Sequence, residues 1–205
     1  MTSESHKNKE DDFEAYIIKY NSGKFHENIY LIWFTDNDLN STDKLLTLKN
    51  GKIFYTNNLE NLHQELHQIK DEIENSEQII CWINRERQNN SNKNSDDIFY
   101  NTNWLINQIE QDNFSIETIE LYANFINLFG DFARQNSKNK YLEQYENNET
   151  IKYLWTYYYE AIFWPRFNDK KKFQNTKLPM LEIDKVELKI KLREIIDEFD
   201  KKIKN

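Results

Sequence analysis

The sequence predicts an α+β fold: an N-terminal antiparallel or mixed sheet with one packed helix, followed by a helical C-terminal half. Three observations predict it. Residues 13–57 hold short runs rich in β-branched and aromatic residues, two of them flanking an Asn-Gly pair. From residue 98 onward the apolar residues recur at spacings of three and four, the period of a helix. Between these regions, residues 84–97 form a polar, low-complexity stretch.

In chain order, residues 1–12 are polar and acidic and read as a disordered tail. FEAYIIKY (13–20) and NIYLIWFT (28–35) read as strands. KLLTLK (44–49) and KIFYTN (52–57) flank Asn50-Gly51 and predict a hairpin with a type I′ turn. A helix over 59–73 follows, with Leu59, Leu62, Leu66, Ile69 and Ile73 as its inner stripe and Asn57 and Glu60 at capping-box spacing. QIICWI (78–83) reads as a buried strand reached by a crossover, with Cys81 an inert buried thiol. After the polar linker, Trp104, Leu105 and Ile109 mark one helix, and Ser115 caps the next. Shorter helices are expected over 138–146 and 149–164, the second stopping before Pro165, with a loop over 165–180. The last helix begins near Asp184 and carries Leu188, Leu192, Ile195, Phe199 and Ile203, with Glu198 and Lys202 as an ion pair. Residues 181–190 partly alternate, so a strand competes there. Residues 13–205 thus read as one α+β domain: a sheet-rich part over 13–83, a polar linker over 84–97 and a helical part over 98–205.

The 205 residues are 38% apolar and 15% aromatic, and large rings bury much area per residue, so a core can form. Gly23, Gly51 and Gly130 lie too far apart for a phosphate-cradling loop. A single cysteine rules out an internal disulfide and suggests a reducing compartment. No apolar run approaches membrane-spanning length and the first residues lack an apolar leader, which leads to the expectation of a cytoplasmic protein. The net charge of −8 is uneven: residues 95–150 hold 3 basic and 10 acidic side chains, and 151–205 hold 13 and 9. An acidic middle argues for a cationic partner and against a nucleic-acid footprint there. With no spanning run, no membrane partner is expected.

Residues that could carry chemistry are few. His63 and His67 lie one helical turn apart, yet Glu65 sits at the third position of the motif instead of the second, so a zinc hydrolase is not indicated. Glu187 and Lys189 flank Leu188 as an acid and a lysine do in metal-dependent nucleases, with Asp36 and Asp38 as the upstream acids. Asp36-Asn37-Asp38 opens like a calcium loop but lacks its later glycine and glutamate. The cluster Tyr153, Trp155, Tyr157, Tyr158, Tyr159, Phe163 and Trp164 has no interleaved basic residue, which favours core packing or a protein interface over stacking on bases. No cofactor is indicated.

The most informative stretch is SIETIELYANFINLFGDFARQ (115–135). Ile119, Tyr122, Ile126, Phe129 and Ala133, widened by Leu121, Phe125, Leu128 and Phe132, require burial of most of this helix. The remaining stripe is Glu117, Glu120, Asn124, Asn127 and Asp131, which is acid and amide only. It is the candidate partner-binding surface, offered to basic groups.

The chain resembles bacterial immunity proteins of contact-dependent inhibition and related polymorphic-toxin systems. The resemblance lies in IYLIWFTDNDLNSTDKLLTLKNGKIFYTNNLENLHQEL (29–66), NFINLFGDFA (124–133), YYYEAIFWP (157–165) and LPMLE (178–182). It implies a non-enzymatic cytoplasmic antidote that binds the C-terminal domain of a cognate toxin, often a nuclease with a basic cleft. The competing expectations are a metal-dependent nuclease using Asp36, Asp38, Glu187 and Lys189, and an adaptor module with no inhibitory role.

Overall fold

The computed structural model describes residues 13–36, 42–74, 76–88 and 98–203. Strands β1 (Ala15–Asn21) and β2 (Ile29–Asp36) pair antiparallel, with Ile18 opposite Leu31 and Ile17 opposite Ile32. Side chains alternate across a strand, so these two pairs lie on opposite faces, and the NIYLIWFT run is continuous in apolarity because both faces are covered. β3 (Thr42–Leu45) adds antiparallel to β2, and β4 (Phe99–Asn101) lies beside β1 on the other edge, giving a mixed four-stranded sheet of order β3-β2-β1-β4. The α+β class and its division into a sheet-rich start and a mostly helical remainder are as the sequence predicts.

The hairpin at Asn50-Gly51 forms, but with a different turn. The Leu48 amide donates to Lys52 O, and the Gly51 amide to Leu48 O, both at 2.8 Å. Within this loop only Gly51 has positive φ, at 82°, and Asn50 does not share it. This is a three-residue loop, a turn over Lys49-Asn50 followed by a left-handed glycine bulge, not a type I′ pair. Asn50 Oδ1 accepts from Lys52 N at 2.9 Å, a side-chain bond that spans the turn.

Beyond Phe54 the chain makes a single turn of 3-10 helix, Leu59–Asn61, that runs into α1 (Leu62–Gln68). The cap is Asn58, one residue later than predicted, and the helix ends at Gln68, short of Ile73. The expected strand at 78–83 is a correction: α2 (Ser76–Gln88) is a helix and carries through 84–88 of the expected linker. The reason is visible in the packing. Ile79, Trp82 and Ile83 recur at helical spacing and are buried, whereas Cys81 is exposed. β-branched content outweighed that period in the reading of a short run. Ile79, Trp82 and Ile83 join Phe13, Ile32, Phe34, Leu46, Phe54, Leu62 and Leu66 in one cluster, so α1 and α2 cover one face of the sheet. The expected tail at 1–12 lies outside the described residues, as does the remaining linker, 89–97.

The described residues of 1–20, 27–99 and 202–205 form one compact unit, and those of 21–26 and 100–201 another. The second unit is helical. α3 (Thr102–Glu110) is capped by Asn101, and α4 (Ile116–Arg134) by Ser115, whose Oγ accepts from Thr118 N. A 3-10 turn, Ser137–Leu142, leads into the short α5 (Glu143–Glu146), and Asn148 caps α6 (Glu149–Tyr157). A π-helical turn, Tyr158–Phe163, then joins α7 (Trp164–Asn168) and α8 (Lys170–Gln174). The helix therefore does not stop before Pro165, and 165–180 is not all loop. Proline lacks an amide hydrogen but fits the first turn of a new helical segment. The widened turn supplies such a start, with Trp164 N reaching Tyr159 O.

α9 (Lys185–Lys202) begins where the sequence places it, with Asp184 Oδ1 accepting from Glu187 N at 2.9 Å. No strand forms over 181–190. Phe199 of α9 meets Phe125 and Phe132 of α4 edge-on, at ring separations of 5.7 and 5.9 Å. Burial of such a side chain stabilises by about 1.5–3 kcal/mol, so α4 and α9 form the core of this unit. Glu198 pairs with Lys201 at 2.7 Å, three residues on, where Lys202 was expected.

Candidate functional site

α4 presents the predicted division of faces. Ile119, Tyr122, Phe125, Ile126, Leu128, Phe129, Phe132 and Ala133 are all buried. Tyr122 keeps its hydroxyl satisfied by donating to Ile151 O at 2.9 Å, and burial pushes its pKa well up. On the polar stripe, Glu117 and Asn124 are exposed, whereas Glu120, Asn127 and Asp131 are half-buried. The stripe is therefore not wholly an outward surface: three of its five members bind the chain's own side chains.

Arg166 of α7 holds Glu120 with both terminal nitrogens, and Tyr158 OH donates to the same carboxylate at 3.3 Å. The guanidinium beside it, more than the opposing effect of burial, holds the Glu120 carboxyl below its ordinary pKa. Burial first, then the Glu120 charge, pushes Tyr158 up to about 12. About two turns further along α4, Asn127 accepts from Trp155 Nε1 at 2.8 Å and donates to Tyr159 OH at 2.9 Å. Asp131 takes Arg134 at 3.2 Å, and Arg134 also grips Glu146 at 2.6 Å. The Arg134–Glu146 pair lies directly over Gly130: a Cβ there would stand 2.7 Å from Glu146 Oε1 and 2.8 Å from both Arg134 nitrogens. Tyr100 is pushed up to about 12 by burial, with the Asp131 charge adding to it.

These pairs redistribute the charge read from the sequence. Of the acidic 95–150 block, Glu110 pairs with Arg193, Asp112 with Lys185 and Lys189, Glu120 with Arg166, and Asp131 and Glu146 with Arg134. The basic C-terminal segment thus takes up Glu110, Asp112 and Glu120, and Arg134, within the block itself, takes up Asp131 and Glu146. Among the described residues of that block, Glu117, Glu143 and Glu149 stay outside these ion pairs.

The aromatic cluster is a ladder. Trp155, Tyr159 and Phe163 follow one another at 4.5 and 5.2 Å, and Phe167 stacks on Phe163 at 6.1 Å. It passes from half-buried Trp155 to Phe167, 73% exposed, with Trp164 51% exposed beside it. Arg166 and Phe167 were missed as surface-forming residues because the predicted helix stops before Pro165. The spacing of Phe163 and Phe167, four apart, was the signal that it continued.

The residues of the nuclease expectation do not form such a site. Glu187 and Lys189 lie on α9, a helix, where residues two apart do not share a face. Glu187 accepts from Thr150 Oγ1 at 2.6 Å and Asn148 Nδ2 at 3.1 Å, which lowers its pKa, and Lys189 pairs with Asp112 at 2.9 Å. The side chain of Asp36, and Asp38 altogether, lie outside the described residues. In the other unit, His63 and His67 bring their Nε2 atoms to one acceptor, Asn84 Oδ1, at 2.8 and 3.2 Å. No group of three or more His, Cys, Asp or Glu among the described residues is arranged to hold a metal ion.

No protein-family model, curated protein or solved structure matches the chain. Among the described residues, no helix is long and apolar enough to cross a membrane.

Proposed function

We propose that the protein is a stoichiometric inhibitor of the immunity type, which neutralises a cognate toxin domain by binding and performs no catalysis itself. The observation that carries this reading is the polar edge of α4. Glu117 and Asn124 face solvent, while Glu120, Asn127 and Asp131 between and beyond them are fixed by Arg166, Trp155, Tyr159 and Arg134. A contact edge held in place before its partner arrives loses little conformational freedom on binding. Its exposed members, Glu117 and Asn124, suit a basic cleft, and charge complementarity supplies steering and discrimination. The resemblance of residues 29–66, 124–133, 157–165 and 178–182 to immunity proteins points the same way.

The test is co-expression with the C-terminal domain of a toxin encoded beside this chain. Growth should be restored, and the purified pair should elute as a one-to-one complex. Separate elution without growth rescue overturns the reading, and so does magnesium-dependent cleavage of nucleic acid by the purified chain alone.

A further inference from the structure

The exposed end of the aromatic ladder continues into a basic arm. Phe167 is followed by Asp169, whose carboxylate caps α8 by accepting from Lys172 N at 2.9 Å. That cap gathers Lys170, Lys171 and Lys172 into one helical turn. Asn175 and Thr176 fold back onto the carbonyls of Lys171 and Lys172, at 3.0 and 2.9 Å. Tyr157 OH donates to Pro179 O at 2.7 Å and ties the far end of the arm beside α6. Next to that tie stands Met180, 80% exposed. Lys170, Lys171, Lys172 and Lys177 are exposed, and among the described residues none is in an ion pair. Arg166 differs, being committed to Glu120.

We propose that this arm, residues 164–180, is a peripheral docking site for the surface of an anionic lipid bilayer. Trp164, Phe167 and Met180 provide apolar tips of the kind that enter the boundary between headgroups and acyl chains. The four lysines lie between Phe167 and Met180 in sequence, on flexible stems that can keep their ammonium groups at the headgroup level. Each lysine near such a surface strengthens binding by about fivefold. A single strand of nucleic acid fits less well. It needs open ring faces for its bases, whereas Phe163 and Phe167 stack on each other and Met180 has no face to offer. The sequence expectation of no membrane partner rested on the lack of a spanning run, and a peripheral contact requires none. The arm touches the polar edge of α4 through Arg166, but its apolar tips and its lysines are not members of that edge, so this proposal does not rest on toxin binding.

The whole chain is sedimented with vesicles of phosphatidylcholine and with vesicles of equal phosphatidylcholine and phosphatidylglycerol. A labelled single-stranded oligothymidine is titrated in parallel. Binding is expected only to the anionic vesicles, and it should fall away near 1 M salt, where screening shortens to about 3 Å. Joint replacement of Lys170, Lys171, Lys172 and Lys177 by Gln should weaken binding by well over tenfold, at about fivefold per lysine. Phe167→Ser should weaken it independently, with the melting curve checked for each variant. Three results overturn the proposal: no binding to anionic vesicles, undiminished binding by the folded lysine variant, or tighter binding to the oligonucleotide than to the vesicles.

Discussion

Arg166 closes on Glu120 with both ends of its guanidinium, Nη1 to Oε2 at 3.0 Å and Nη2 to Oε1 at 2.5 Å. The two residues are 46 apart in sequence, and their contact joins the segment after the π turn to the second turn of α4. A bidentate pair of this geometry fixes orientation as well as charge. It also keeps a residue of the predicted binding stripe from being free for a partner.

The pair makes stability depend on pH. The folded state holds the Glu120 carboxyl below its unfolded value. Its contribution is therefore present above the unfolded pKa, about 4.3, and is lost as pH falls through the folded one. Both side chains are about a third exposed, so solvent screening limits the contribution to about 1 kcal/mol. Glu120→Gln should lower the melting temperature at pH 7 and flatten the acid side of the stability profile. A variant whose acid limb overlays the wild type would show that the pair contributes nothing to folding.

Gly51 tests the hairpin. Its φ of 82° suits glycine, and no atom lies within 4 Å of a Cβ built there. A side chain would meet only backbone strain. Gly51→Val should therefore cost about 1–3 kcal/mol in a chemical denaturation curve, the range for a residue forced into such a conformation. Gly51→Asn should cost less, because asparagine tolerates the left-handed region better. Equal midpoints for wild type and both variants would exclude the bulged turn.

Glu187 separates a structural role from a catalytic one. It binds Thr150 and Asn148 at the start of α6, where Asn148 itself caps the helix. Glu187→Ala should lower the melting temperature, and neither wild type nor variant should cleave DNA or RNA with magnesium present. Cleavage by the wild type that the variant loses would restore the nuclease expectation.

Elements with long, consistent periods were legible in the sequence. α4 and α9 were placed with their caps at Ser115 and Asp184 because apolar spacing and cap chemistry agreed. Two kinds of feature were not. In QIICWI, β-branched residues and the helical spacing of Ile79, Trp82 and Ile83 compete within six residues, too short a window to decide by composition. At Pro165 the local rule for proline was sound, but a π turn just before it removed the conflict. The polar stripe of α4 was found, yet its partners Trp155, Tyr159 and Arg166 come from a helix whose docking no local pattern encodes.

That docking decides how the stripe should be tested against a toxin. Reversing Glu120 or Asp131 would set a lysine against Arg166 or Arg134, so a loss of affinity would be confounded by damage to the fold. Glu117 and Asn124 are the exposed members and give the clean experiment. Glu117→Lys with Asn124→Lys should leave the melting curve within about 0.5 kcal/mol of wild type, as exposed substitutions usually do. Against a toxin with a basic cleft, the same variant should lose several kcal/mol of affinity through like-charge contact. Much of the loss should appear in the association rate. That rate should also fall for the wild type as added salt shortens screening from about 10 Å at 0.1 M to about 3 Å at 1 M. Calorimetry and stopped-flow mixing beside a melting curve read all three quantities. Full affinity in a folded double variant would remove the α4 edge from the interface. The exposed aromatic end at Trp164 and Phe167 would then be the next surface to substitute.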